Sequence, residues 1–304
     1  MNSFIKIMLV ALAVLFGAIG IVSFFIIIFN ETYSFPHSTI IDAALASNFG
    51  DFIGGFVGTI FSIMSILLLI YTILHQNREA RKSSLETNFF RMIDYHNQNV
   101  NQLTVPNLDV TKSDHSAGRR AFVQFKIQIH KLFPIVRKIN SVHNLQLNDD
   151  QIADIVYVVF YYGIKGSWVS FIEEKLKMYF PNNGLLAREI QAEINLNPPL
   201  DLGRTNQTFL STYFRNMYNA IKLVDNSSFL RKKEKEEIIK IYRAQLSNPE
   251  LYVIFFNIIS RFGTKWKQNQ YITKYNFINN MPLNYCEDYN PKDYFQISYE
   301  DDEF

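Results

Sequence analysis

Met8–Phe29 reads MLVALAVLFGAIGIVSFFIIIF and Phe52–Leu74 reads FIGGFVGTIFSIMSILLLIYTIL, and neither stretch contains a charged residue. About 20 apolar residues, each rising about 1.5 Å, cross a hydrocarbon core about 30 Å thick. Runs of 22 and 23 residues are therefore predicted to be transmembrane helices, with the lipid bilayer as the chain's first partner. The first run exceeds the roughly 7–15 residues of a signal-peptide apolar region, and no small-x-small cleavage site follows it. It is expected to remain as an anchor.

Outward from these runs, charge sets the orientation. The connecting segment, 30–51, has no Lys or Arg and carries Glu31, Asp42 and Asp51, whereas Arg78, Arg81 and Lys82 follow the second run and Lys6 precedes the first. The positive-inside rule places both termini in the cytoplasm and the connecting loop outside. Asp51 is expected to cap the second span. The expected partition is a membrane hairpin over 1–79 (spans 8–29 and 52–74, external loop 30–51), an α-helical cytoplasmic domain over 80–286, and a loose acidic tail over 287–304.

Beyond Leu74 the chain carries 29 basic and 25 acidic residues, too mild a balance to argue for nucleic acid, which is not expected as a partner. Cys286 is the single cysteine, so neither a disulfide framework nor a cysteine metal site is expected. Gly and Pro are sparse after the spans, and apolar residues recur at helical spacing. The fold class expected is all-α: two N-terminal transmembrane helices followed by a helical body. Helices are predicted over about 80–103, 119–140, 167–180, 209–224, 231–246 and 266–280. Another is predicted after an Asn148 N-cap, and another after the capping-box pattern Ser247-Asn-Pro-Glu250. The stretch around Pro198, Pro199 and Gly203 reads as loop.

No Gly-rich phosphate loop, zinc-protease helix, nucleophile elbow or dinucleotide fingerprint occurs. No metal and no cofactor is expected, and the balance is against an enzyme. Gly54 and Gly58 form a Gly-x-x-x-Gly with Gly55 beside them, a pattern that lets helices approach closely in lipid. It serves either packing on the first span or homo-oligomerisation. Arg91 and His96 have an Arg-x4-His spacing that would suit ribonuclease chemistry, a weak pair since Arg137 and His143 are similarly placed. His96 on an apolar stripe is more often a satisfied core histidine. Arg119, Arg243, Gln245, Glu250 and Asn257 are polar groups among apolar helices, a pattern more often structural than catalytic. Arg243 and Glu250 are placed to bridge a helix break.

The motifs have an order. Two spans lead to a basic segment, then to Glu86, Phe89, Phe90, Met92, His96 and Asn97; then Gly118-Arg119-x-Ala121-Phe122; then Tyr242-Arg243-Ala244-Gln245-Leu246-Ser247, Glu250-Leu251 and Phe256-Asn257. Together with Gly50-Asp51-Phe52-Ile53-Gly54-Gly55, this resembles the phage abortive infection proteins of the AbiC-like family. The resemblance implies a bacterial inner-membrane protein that halts or kills the infected cell. It supplies no catalytic set, and Arg91 is not part of its pattern. The expected function is a membrane-anchored anti-phage protein whose helical body is sensor or effector. Its expected partner is a phage component or a host defence protein. The alternatives are a membrane-tethered RNase using Arg91 and His96, and a scaffold or receptor subunit of a membrane complex.

Overall fold

A computed structural model describes residues 3–29, 43–108, 115–166, 168–179, 186–196, 205–286 and 288–300. Residues 30–42 of the expected external loop 30–51, the Pro198–Gly203 loop and the last residues of the tail lie outside them, while the rest of that expected loop, Ala43–Asp51, is helical. The structure is 78% helix and 2% strand, so the all-α expectation holds. The chain divides into two units, Met1–Ser84 and Leu85–Phe304.

In the first unit, α1 spans Ser3–Ile28 and α2 spans Ala43–Asp51; a π-helical stretch, Phe52–Val57, follows, and α3 begins at Gly58 and runs to Asn101. Two helical stretches, Phe4–Ile28 and Ala43–Asn101, are long and apolar enough to cross a membrane. Only 17% and 11% of their apolar windows are buried within the chain, unlike the core helices of a soluble fold. The cap expected at Asp51 is not formed: that residue is helical and its side chain caps nothing, because helix already precedes it. Within α3 the hydroxyls of Ser62, Ser65 and Thr72 each donate 2.8 Å bonds to the carbonyl four residues back. This satisfies them without water.

The glycines that let α1 meet α3 are those of α1. A Cβ built on Gly20 would lie 3.2 Å from Ile60 and 3.3 Å from Phe61, and one on Gly17 would meet Met64 at 2.9 Å. Around Gly54 and Gly55 nothing lies within 4 Å, and Gly58 meets only its own helix at the Ile53 carbonyl. Gly54, Gly55 and Gly58 are therefore not the points of close approach, although the π-helical stretch that holds the first two does touch α1. A cysteine pair at positions 20 and 60, in a Cys286→Ser background, is expected to cross-link on oxidation. Gly54→Leu should leave that cross-link intact, and Gly17→Leu should suppress it. Equal yields in both leucine variants would refute this packing.

The second unit begins in the distal part of α3, which buries Leu85, Phe89, Ile93, His96 and Val100. These positions recur at three- and four-residue spacing, one helical stripe. A two-stranded antiparallel ribbon follows, β1 (Thr104–Pro106) with β2 (His115–Ala117), Val105 opposite Ser116. Gly118, at φ +60°, turns the chain into α4 (Arg120–Val142). Helix α5 (Asp149–Tyr162) opens on a capping box between Asn148 and Gln151 and buries every side chain from Ile152 to Tyr161. It lies against α4 and α10 (Asn248–Ile259), forming the centre of the core. Around it come α6 (Trp168–Leu176), α7 (Leu186–Asn195), α8 (Gln207–Asp225) and α9 (Lys232–Arg243).

Three expectations in this unit are corrected. No helix is predicted between 180 and 209, yet α7 forms there, with Leu186, Ile190 and Ile194 burying one face at four-residue spacing. The single helix expected over 266–280 is two short ones, α11 (Thr264–Gln268) and α12 (Tyr271–Tyr275). Gln270 and Asn276 lie in the left-handed region at φ +53° and +46°, which ends each turn. The tail is not loose where it is described. Pro291–Tyr294 forms α13, and Tyr289, Phe295 and Tyr299 are buried in the core. Apolar rings outweigh the acids between them in placing this segment.

Candidate functional site

The capping box at the start of α10 is the local seed of the site. Ser247 is the N-cap, and Glu250 at N3 reaches back to it. Its Oε2 accepts from the Ser247 backbone N–H at 2.9 Å and from the Ser247 hydroxyl at 2.6 Å. A capping-box carboxylate usually faces water. Here Glu250 is fully buried, because the turn between α9 and α10 is pressed against α3 and α8.

Four elements surround that carboxylate. From α4's entry, the Arg119 guanidinium lies 3.6 Å from Oε2, with 44% of its side chain exposed. From α8, the Tyr213 hydroxyl donates to Oε1 at 3.4 Å. From α3, His96 Nε2 lies 4.0 Å from the same Oε1. From α9, the Tyr242 hydroxyl sits 2.9 Å from His96 Nδ1. The imidazole lies 4.6 Å from the Tyr213 ring and 5.1 Å, edge-on, from Tyr242. We assign the Nε2–H tautomer, which lets Tyr242 donate to Nδ1 and turns the imidazole N–H toward a carboxylate.

Arg119 closes a second ring of bonds. It donates to the Gln245 carbonyl and, at 3.3 Å, to the Asn97 side-chain oxygen. Asn97 in turn donates to the Gln245 side-chain oxygen at 3.0 Å. Positions 97, 119 and 245, far apart in sequence, thus form one cycle that covers the buried acid.

Electrostatics fix the protonation of the cluster. Burial, reinforced by the Arg119 charge, lowers the His96 pKa from 6.5 to about 4, so the imidazole is neutral near pH 7. Burial and then the Glu250 charge push the Tyr213 and Tyr242 hydroxyls well above their usual value. One anion, one cation and a neutral imidazole leave the site uncharged as a whole, the condition under which a buried charge is tolerated.

Of the residues singled out from sequence, His96, Asn97, Arg119, Gln245, Ser247 and Glu250 come together here. Phe89 packs edge-on against Tyr242 at 6.1 Å, and Phe122 packs 5.0 Å from Tyr213, so both wall the cluster. Gly118 positions Arg119, its N–H bonding the Leu103 carbonyl at 2.9 Å. Others lie elsewhere. Glu86 is half-buried and Phe90 exposed on α3. Asn257 donates to the Tyr157 hydroxyl at 3.0 Å deep in the core. Arg243 donates to the Asn276 carbonyl at 2.8 Å, so the expected Arg243–Glu250 bridge is not formed; Arg119 takes that place.

The Arg91–His96 pair is not brought together. Arg91 is exposed and His96 fully buried, since five residues of α-helix rotate a side chain by about 500°, leaving the two about 140° apart. Tyr213 falls within the helix expected over 209–224 but carries no site signal in the sequence: an aromatic with a hydroxyl on a buried stripe does not reveal its partner. No group of three or more His, Cys, Asp or Glu placed to hold a metal occurs among the described residues.

Fold and site define a class: a helical body following two helices apolar enough to cross a membrane, built around a buried, charge-balanced polar cluster. Residues 205–286 match the family described as putative phage abortive infection protein, putAbiC. The resemblance to the AbiC-like family is thereby supported over that segment. The matched segment contains Tyr213, Tyr242, Gln245, Ser247 and Glu250, the half of the cluster contributed from α8 to α10. Searches of curated proteins and of solved structures gave no match.

Proposed function

We propose that this chain is a membrane-anchored anti-phage protein of the bacterial inner membrane, both termini cytoplasmic, whose helical body senses infection and sets off the toxic event. The carrying observation is the cluster itself. The late motif residues Gln245, Ser247 and Glu250 close on His96 and Asn97, and these belong to the same uninterrupted helix, Gly58–Asn101, as the second apolar stretch. A phage component or defence partner that displaced Arg119 or the α9–α10 turn would release the end of that helix. Full burial of His96 and Glu250 favours a latch over a ribonuclease centre.

The test is a protection assay against a phage panel, with membrane potential and RNA integrity followed in the same infected cells. Asn97→Ala and Gln245→Ala touch half-buried groups and are expected to raise plating efficiency at least ten-fold at unchanged protein level, with depolarisation lost. Full protection by both variants would refute the latch. RNA decay at preserved potential would favour the ribonuclease.

A further inference from the structure

A cavity of about 200 Å³ lies between α4, α10 and the segment that follows Cys286, away from the buried cluster. Its walls include Phe133, Tyr252, Tyr289 and Cys286, with Arg137 and Asp288 on the solvent side. The Phe133 and Tyr289 rings touch, centroids 5.1 Å apart. Tyr289 is held by its hydroxyl, which donates to the Asp149 carbonyl at 3.0 Å. Arg137 donates to Asp288 Oδ2 at 2.6 Å, and its guanidinium carbon lies 5.5 Å from the Phe133 ring centroid. Asp288 Oδ1 accepts no bond from the described residues.

We infer that this cavity binds a planar, uncharged heteroaromatic ring of nucleobase size that carries N–H donors. Three arguments converge. Aromatic faces offer a stacking surface to any flat ring, which is how bases are commonly held. The guanidinium and carboxylate at the rim neutralise each other and so favour a neutral ligand, while offering a donor fork and an acceptor to its hydrogen-bonding edge. The volume falls below the roughly 300–1,000 Å³ of sites for drug-sized molecules, so one or two rings fit and a larger ligand does not. The site is independent of the role proposed for the buried cluster.

The test is saturation-transfer NMR on the full chain in lipid nanodiscs, with guanosine, adenosine and benzene as probes. Transfer to the purine ring protons should exceed transfer to the ribose. Cys286→Met, which fills the cavity, should abolish it. Asp288→Asn, which replaces the acceptor oxygen by an amide, should weaken nucleoside binding at least ten-fold, with circular dichroism unchanged in both variants. Binding of benzene alone would identify a dry packing defect and overturn the proposal. Nucleoside binding that survives Cys286→Met would place the ligand elsewhere and overturn it equally.

Discussion

Arg119→Met is expected to lower the unfolding midpoint of the helical body by about 6–12 °C, and Glu250→Gln by much less. The asymmetry follows from burial. Glu250 is fully buried, and Arg119 is the cation beside it at 3.6 Å. Removing one partner of a buried ion pair costs about 3–5 kcal/mol, because the other charge stays buried and uncompensated. With 44% of the Arg119 side chain exposed, solvent screens part of that interaction, which places the cost near 3 kcal/mol. One kcal/mol shifts the midpoint of a body this size by about 2–4 °C. Glutamine at 250 keeps an acceptor oxygen for the Ser247 N–H and hydroxyl and needs no cation. The guanidinium it leaves behind reaches water. The double variant should therefore recover most of the loss, with a coupling of about 1–3 kcal/mol. Thermal unfolding of the four proteins decides it. Additive losses would mean that Arg119 stabilises only through Asn97 and the Gln245 carbonyl.

What was legible in the sequence was local or periodic. The two apolar runs need only composition, and the capping boxes at Asn148 and Ser247 need only a three-residue spacing. The buried stripes of α3, α4 and α8 need only helical periodicity. The unreadable parts depend on contacts between distant segments. Nothing near Glu250 in sequence says that its carboxylate is buried or that Arg119, 131 positions earlier, is its cation; Arg243 was the nearer choice. The tail illustrates the opposite failure. Its acids dominate the composition, yet Tyr289, Phe295 and Tyr299 at irregular spacing carry it into the core. Helix α7 is harder to read because it is a ten-residue amphipathic segment, under three turns long, set between the helix breakers Pro181 and Pro198–Pro199. The order of the motifs foreshadowed the site better than any periodicity, since six of the residues it contains meet in one place.

Acidification should weaken the body through His96, and the sign can be worked out. In the fold its pKa is about 4, depressed by burial and then by Arg119; in the unfolded chain it returns to about 6.5. Between those values the unfolded state binds the proton that the folded state refuses. Stability from this group is thus fully present above pH 6.5 and is lost as pH falls toward 4, by about 3 kcal/mol in all. The groups facing the imidazole do not reverse this. Tyr213 and Tyr242 stay protonated throughout. Glu250 would attract an imidazolium across 4.0 Å, but Arg119 already occupies its other oxygen and opposes a second cation. His96→Phe keeps an aromatic ring and removes the proton site. It should be less stable than the wild type at pH 7.5, because the buried Tyr242 hydroxyl loses its partner at about 1–3 kcal/mol. Its stability should then change far less between pH 6.5 and 4.5, so that the two curves converge. Urea unfolding at a series of pH values measures this directly. Parallel curves would show that the His96 pKa is the same in the folded and unfolded chain, and curves that diverge as pH falls, with the wild type gaining on the variant, would show a protonated His96 paired with Glu250; either would replace the neutral latch.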